Sequence, residues 1–418
     1  MSTLTSAPLA ELQALYEDLH ANPELSFQEH RTAGIVADHL EALGYTVTRD
    51  VGRTGVVGVL ENGDGPTVLC RADMDALPVT EETGLAYAST ARGTDPDGND
   101  VGVAHACGHD LHVTWLLGAA HELLARRGEW SGRLLVVFQP AEEIGGGARA
   151  MVDDDFFERF GTPDVTLGQH TAPAPVGWIL QRPGPAMASA DMLRVTLHGR
   201  GGHGSTPQFT VDPAVLAASV ILRLQTIASR EIDPLETAVV TVGSVRVGTK
   251  ANVIGDDAVL ALSVRTYSDF VRNEVLAAIE RIVKGECVTA GCTIEPEITC
   301  SESLPLLSND AEAIGRVAAA LTAHFGEGAV VESPRVTGSE DFGHFATAAG
   351  CPCAFWFVGV TDPEKVSKAL AEGRYAEDIP YNHSPRFAPD ADLALGVGIE
   401  AMTEAALAWL GTDRGPAE

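Results

Sequence analysis

Within nine residues, from Ala104 to His112, the chain sets His105, Cys107, His109, Asp110 and His112. A thiol and an imidazole two positions apart, on either side of the flexible Gly108, can point at one small cation, because Cys and His are the usual ligands of zinc-like metals. Taken alone, the stretch reads equally well as a buried Cys with polar His in a turn, and two ligands do not make a metal site. The remainder of the sequence offers more: adjacent carboxylates at Glu142 and Glu143, imidazoles at His170 and His383, and Asp75 in Asp73-Met74-Asp75. Cys107, His109, His170, His383 and one of the two glutamates are ligand types able to hold two divalent ions with open positions. The other glutamate can then take a proton from water. A metal that polarises a carbonyl and acidifies water is what hydrolysis of an unreactive amide requires.

Elements must bring these residues together. Apolar runs at 67–71, 133–138 and 164–168 read as short buried strands, and they deliver Asp73-Met74-Asp75, Glu142-Glu143 and His170 at their carboxyl ends, where α/β sheets collect functional residues. The glycines 145–147 permit close backbone approach after the second of these strands. Helical spacing covers 9–19, 27–43, 112–125, 311–325 and 392–410, and His383 falls in the loop before the last helix. From Asp191 the pattern changes. A strand at 192–197, a glycine-rich loop, a helix at 213–228, strands at 237–245 and 258–266, a helix at 270–290 and a strand at 293–298 follow in the order β-α-β-β-α-β, that of a ferredoxin-like sandwich. The predicted organisation is an α/β domain of residues 1–187 and 300–418, a mixed central sheet flanked by helices, with an inserted ferredoxin-like α+β domain at 188–299.

A chain of 418 residues favours two such domains over one core. Lys plus Arg number 28 against 58 Asp plus Glu, a net charge of −30, which argues against nucleic acid and anionic membrane as partners, since both demand basic patches. The first dozen residues lack a basic segment followed by an apolar core, so no secretory signal is expected. No run long enough to span a bilayer is expected either. Seven cysteines, an odd number, read as reduced thiols of a cytoplasmic protein rather than a disulfide framework. The tail after Gly411 is expected to fray.

Six motifs, taken in order, add a resemblance. They are Arg71-Ala72-Asp73-Met74-Asp75-Ala76-Leu77-Pro78, the stretch His105 to Asp110, Gln139-Pro140-Ala141-Glu142-Glu143, Gly201-Gly202-His203-Gly204, Ser339-Glu340-Asp341-Phe342 and His383-Ser384-Pro385. Together they resemble the aminoacylase and carboxypeptidase family of dinuclear metallohydrolases, and within it the hippurate hydrolase and indoleacetyl-amino-acid hydrolase branch, which cleaves N-acyl amino acids. The resemblance runs from Asn22-Pro23-Glu24-Leu25-Ser26 to His383, nearly the whole chain.

That resemblance implies a metallopeptidase-type catalytic domain with the inserted domain as lid and dimerisation unit. Cys107, His109, Glu143, His170 and His383 match metal ligands, Glu142 the general base, and Asp75 a carboxylate that orients a ligand. Where the wider family has a histidine ligand this chain has Asp73, and the branch relies on the Cys107 thiolate instead. His203 matches a histidine that reaches the active site of the partner subunit in a homodimer and stabilises the oxyanion. Asn252 and Arg265 match positions that bind the substrate carbonyl and carboxylate. Gly204-Ser205-Thr206-Pro207-Gln208 stands where many relatives carry alanine and a second histidine, which bears on the acyl pocket. The implied cofactor is two divalent ions per subunit; thiolate softness favours zinc, and manganese or cobalt would fit the same donors. The expected substrate is a small N-acyl amino acid. A dipeptidase or metallocarboxypeptidase using the same centre is the alternative, and a thiol enzyme with Cys107 as nucleophile is a further rival. His105 and His112 are expected to be structural. Glu340-Asp341 reads as a helix N-terminal charge pair as readily as a substrate contact.

Overall fold

The computed structural model describes residues 6–411, so the tail after Gly411 lies outside the described residues. Two compact units emerge. The larger comprises the chain up to Ala186, Ser308–Pro334 and the residues from Asp341 on, and the smaller Met187–Leu307 with Arg335–Glu340.

The larger unit is built on an eight-stranded mixed sheet in the order Thr46–Val51, Gly55–Asn62, Gly132–Gln139, Thr67–Asp73, Val165–Pro175, Cys353–Thr361, Ile179–Gln181 and Val330–Glu332. The four central strands are parallel. Their near-continuous burial, in Val68, Leu69 and Cys70 as in Leu134 to Phe138, follows from helices covering both faces. One core is closed by the helices His109–Ala125 and Ala391–Leu410. These approach closely because Gly398 has no side chain: a Cβ there would lie 2.1 Å from the Trp115 ring.

The helix Ala391–Leu410 corrects one expectation. It is the one helix among the described residues long and apolar enough to cross a membrane, although no such run was expected. Its Ala394, Leu395, Ile399, Met402 and Ala406 are buried in the core, which accounts for its apolar composition.

The smaller unit is a four-stranded antiparallel sheet in the order Ala238–Val247, Asp257–Thr266, Ser189–His198 and Glu297–Leu304. Alternate residues such as Leu193, Val195, Leu260 and Leu262 share one core with the helices Pro213–Thr226 and Asp269–Ala290. This is the ferredoxin-like order of pairing. The last strand begins after Pro296 rather than at 293, because proline offers no N–H to the ladder. Residues 300–307 therefore group with this unit, outside the 188–299 expected for it. The segment 335–340 joins them through bonds from Ala188 N to Val336 O and Gly338 O, and from the Tyr267 hydroxyl to Val336 O.

Candidate metal centre

Thr67–Asp73 and Gly132–Gln139 end side by side, Asp73 opposite Gln139, and each delivers carboxylates just beyond its last residue. Asp75 follows the first, and Glu142 and Glu143 follow the second. His170 differs from the sequence-based expectation, because it lies inside the longer strand Val165–Pro175 rather than past its end. Gly108, at φ +87, turns the chain into the helix His109–Ala125; a Cβ on it would meet Thr171 at 2.9 Å, so only glycine lets Cys107 and His109 come up against this strand. The Thr171 hydroxyl donates to Cys107 O, and Asn382 Nδ2 donates to Cys107 O and to Thr171 Oγ1. His383 N–H donates to Ala106 O at 2.7 Å.

These contacts gather all five predicted ligands into one chain of donor atoms. Cys107 Sγ lies 3.5 Å from His170 Nε2. Ligand atoms of Cys107, His109 and Glu143 all fall within 4.8 Å of one another. Glu143 Oε1 is 3.8 Å from His109 Nε2, and its Oε2 is 3.4 Å from His383 Nε2. Two donors bound to one zinc-like ion lie roughly 3.3–3.7 Å apart. His109 Nε2 and Glu143 Oε1 have no hydrogen-bond partner among the described residues although both are buried, a costly state unless a cation is what they bind. A soft thiolate, three imidazoles and a carboxylate therefore fit a divalent metal centre.

The ring orientations agree. His170 Nδ1 donates to Thr171 O at 2.8 Å and so presents Nε2. His109 Nδ1 faces Asp75 Oδ1 at 3.4 Å, while its Nε2 lies 3.6 Å from Asp73 Oδ2 and 3.8 Å from Glu143 Oε1, on the side of the other donors. Asp75 also accepts from the backbone N–H of Glu142 and of Glu143 and from the Ser26 hydroxyl. His112 belongs with the same cluster by distance, but its Nδ1 donates to Asp73 at 2.6 Å and its Nε2 accepts from Thr171 N–H, so neither nitrogen remains for a metal. Asp73 is committed as well, one oxygen to His112 and the other to Arg71 Nη1. Arg71 and Gln139 continue inward to Asp341, which also accepts from Ala148 N–H. Asp341, just before the helix Gly343–Ala349, is thus buried and bonded to these groups. Burial pushes the Glu143 carboxyl up to about 8, and burial with the charge of Glu143 pushes the Cys107 thiol well up. For His109 burial works against the charged form, but Asp73, Cys107 and Asp75 outweigh it and raise the pKa. A cation binding there displaces protons from these groups.

The other three predicted residues lie on the smaller unit. His203 is exposed, on Gly202–His203 paired with Val253–Ile254, and Asn252 O accepts from Gly204 N–H, so these two are neighbours. Ser205 donates its N–H to His203 Nδ1 and its hydroxyl lies 2.7 Å from the same atom, so the ring carries its proton on Nε2. Arg265, at the end of Asp257–Thr266, donates through Nη1 to Thr337 O and Ser339 Oγ.

Residues 69–402 match the model of peptidase family M20/M25/M40. The chain belongs to this family. Two M20 relatives are thermostable carboxypeptidase 2 of Saccharolobus solfataricus, 36% identical with 92% of each chain covered, and the hippurate hydrolase of Campylobacter jejuni, 39% identical over 82% of this chain and 87% of that one. A dinuclear metal-binding peptidase of the M20 family from Bacillus subtilis superposes with a TM-score of 0.78 at 30% identity, covering 97% of this chain and 99% of that one. The structural role expected of His112 agrees with its two hydrogen bonds, while reading single residues by ligand type left out Arg71, Thr171 and Asn382, which hold others in place. Their signal is buried polarity, which a lone sequence does not display.

Proposed function

We propose that the protein is a metal-dependent amidohydrolase that cleaves N-acyl amino acids into a carboxylic acid and a free amino acid. The observation that carries this reading is the chain of donors from His170 through Cys107, His109 and Glu143 to His383, with buried Glu142 on the same turn as Glu143. Cys107, His109, Glu143, His170 and His383 would hold two divalent ions, which when bound would supply Lewis acidity to the amide carbonyl and acidify water. Glu142 takes the proton from the attacking water and passes it to the leaving amine. His203, with its proton on Nε2, donates to the developing oxyanion from the partner subunit. Asn252 binds the substrate carbonyl and Arg265 its carboxylate, the guanidinium being already oriented by Thr337 and Ser339. The thiolate in the donor set favours zinc over manganese or cobalt.

Dimerisation through the smaller unit is supported by Ala238–Val247, an edge strand with exposed Val239, Val245 and Val247. None of the seven cysteines, each among the described residues, is in a disulfide, which suits a reducing cytoplasm. The carboxypeptidase relative keeps one second reading in view: the same centre acting on a peptide bond next to a free carboxylate. A panel of acyl-amino acids and peptides, scored by amino acid release with metal analysis of the purified protein, separates the two. Glu142→Gln should keep its metals and lose turnover; an active Gln variant removes Glu142 as the base.

A further inference from the structure

We propose that Glu29 is a positioning residue for the general base, its carboxyl clamping the left-handed corner at Ala141 that leads into Glu142. The inference rests on the reading of Glu142 given above. Ala141 has φ 49° and ψ 42°, a conformation that side chains beyond glycine seldom adopt and that surrounding structure must impose. After it the chain turns at once into a helical turn at Glu142–Ile144, so three consecutive N–H groups converge on one side. Each meets a carboxylate. Ala141 N–H donates to Glu29 Oε1 at 2.8 Å, and those of Glu142 and Glu143 donate to the two oxygens of Asp75, each at 3.0 Å.

The two carboxylates are not equivalent. Asp75 also faces the ring of His109, so it serves a metal ligand and the base together. Glu29 has no such contact. Its Oε1 accepts a second N–H, from Phe27, itself left-handed at φ 58°, and its Oε2 takes the buried Thr54 hydroxyl at 2.5 Å. It is fully buried, and its bonds run from the loop before the helix His30–Ala42 to the start of Gly55–Asn62 and to the catalytic turn. Burial first, and the charge of Asp75 second, push its carboxyl up to about 7. A neutral group of the same shape can therefore stand in for a carboxyl whose charge this burial already disfavours. Glutamine offers that shape: its oxygen can accept both N–H groups and its amide can donate to Thr54.

Removing Glu29 should consequently disturb the base while sparing the ligands. The test uses the full-length, metal-loaded enzyme, with metal content, kcat and KM, and hydrogen exchange of a peptide spanning residues 139–146. Glu29→Ala should lower kcat on the order of tenfold or more, with KM and metal content unchanged and faster exchange at 141–143. Glu29→Gln should recover kcat to within about threefold, the amide keeping each hydrogen bond. If the Ala variant does not fold, Glu29→Asp against Glu29→Gln carries the test: the Asp variant keeps the charge but falls a methylene short, and should lose kcat where Gln keeps it. Wild-type kcat and exchange in Glu29→Ala, equal losses in Ala and Gln, equal activity of Asp and Gln, or loss of metal together with activity each overturn the proposal. An inactive wild type or an active Glu142→Gln would instead strike at the functional reading, and the exchange data would still decide whether Glu29 clamps the turn.

Discussion

The histidines of the opening cluster divide by what each ring nitrogen is doing. His109 and His170 each turn one nitrogen to an oxygen and keep Nε2 among the donor atoms, whereas His112 spends both on Asp73 and Thr171. Cys107 supplies the soft donor between them. Cys107→Ser should lower bound metal and activity together, because a serine hydroxyl is a far poorer ligand than a thiolate; unchanged metal content on elemental analysis would take the thiol out of the ligand set. His20 makes a different prediction. It is buried, with Nδ1 2.6 Å from Asp110 and Nε2 3.1 Å from Glu81. Burial by itself would lower its pKa, but the bonds to these two carboxylates outweigh it and raise the value from 6.5 to about 10. A folded-state pKa above the unfolded one means stabilisation that is complete below the unfolded value and is lost as pH rises through the folded one. His20→Gln should therefore lower Tm most near pH 6, with the deficit shrinking toward pH 10. A deficit that does not change over that range would mean His20 carries no charge in the fold.

At the scale of elements, the turn after Gly132–Gln139 is the most tightly built part of the site. A Cβ on Gly147 would lie 1.5 Å from Pro140 O, so the helix Gly147–Asp153 closes on the turn only because that position has no side chain. Gly147→Ala should cost about 1–3 kcal/mol or more in urea unfolding, as overpacking against an immovable backbone does, and should reduce kcat by shifting Glu142. A variant with wild-type stability would show that the turn can yield. The three glycines were legible as a close approach, but not which one bears it: Gly146 has no contact nearer than 3.6 Å for a Cβ. The strand holding His170 was read too short for a related reason. Pro173 and Pro175 look like breakers in one dimension, yet the strand continues through them, paired in parallel with Cys353–Thr361 as far as Thr361 opposite Pro175.

For the whole molecule, the exposed edge strand Ala238–Val247 is the feature with the largest consequence. Val239 and Val245 stand exposed on an unpaired edge, and Val215 and Leu222 stand exposed on the helix that packs on the same strand. Apolar side chains on an open strand invite pairing with a second copy. On the proposed dimer, Val245→Lys should convert it to a monomer in analytical ultracentrifugation and, on the role proposed for His203, should cut activity while bound metal stays. A wild type that sediments as a monomer and is fully active removes both the dimer and the role of His203 across it.

Local pattern alone was enough for the β-α-β-β-α-β order of the smaller unit, the buried strands of the larger one and the ordered motifs that mark the family, because periodicity and spacing are properties of neighbouring residues. Donor types at Cys107, His109, Glu143, His170 and His383 were readable for the same reason. Apart from Asp75, which the resemblance already implied as an orienting carboxylate, the groups that hold those donors were decided only by tertiary structure. Glu29 bonds to Ala141 112 residues later, and Gln139 to Asp341 202 residues later. A buried carboxylate looks like a surface one in the sequence; only folding, which takes it out of water, obliges it to find a partner.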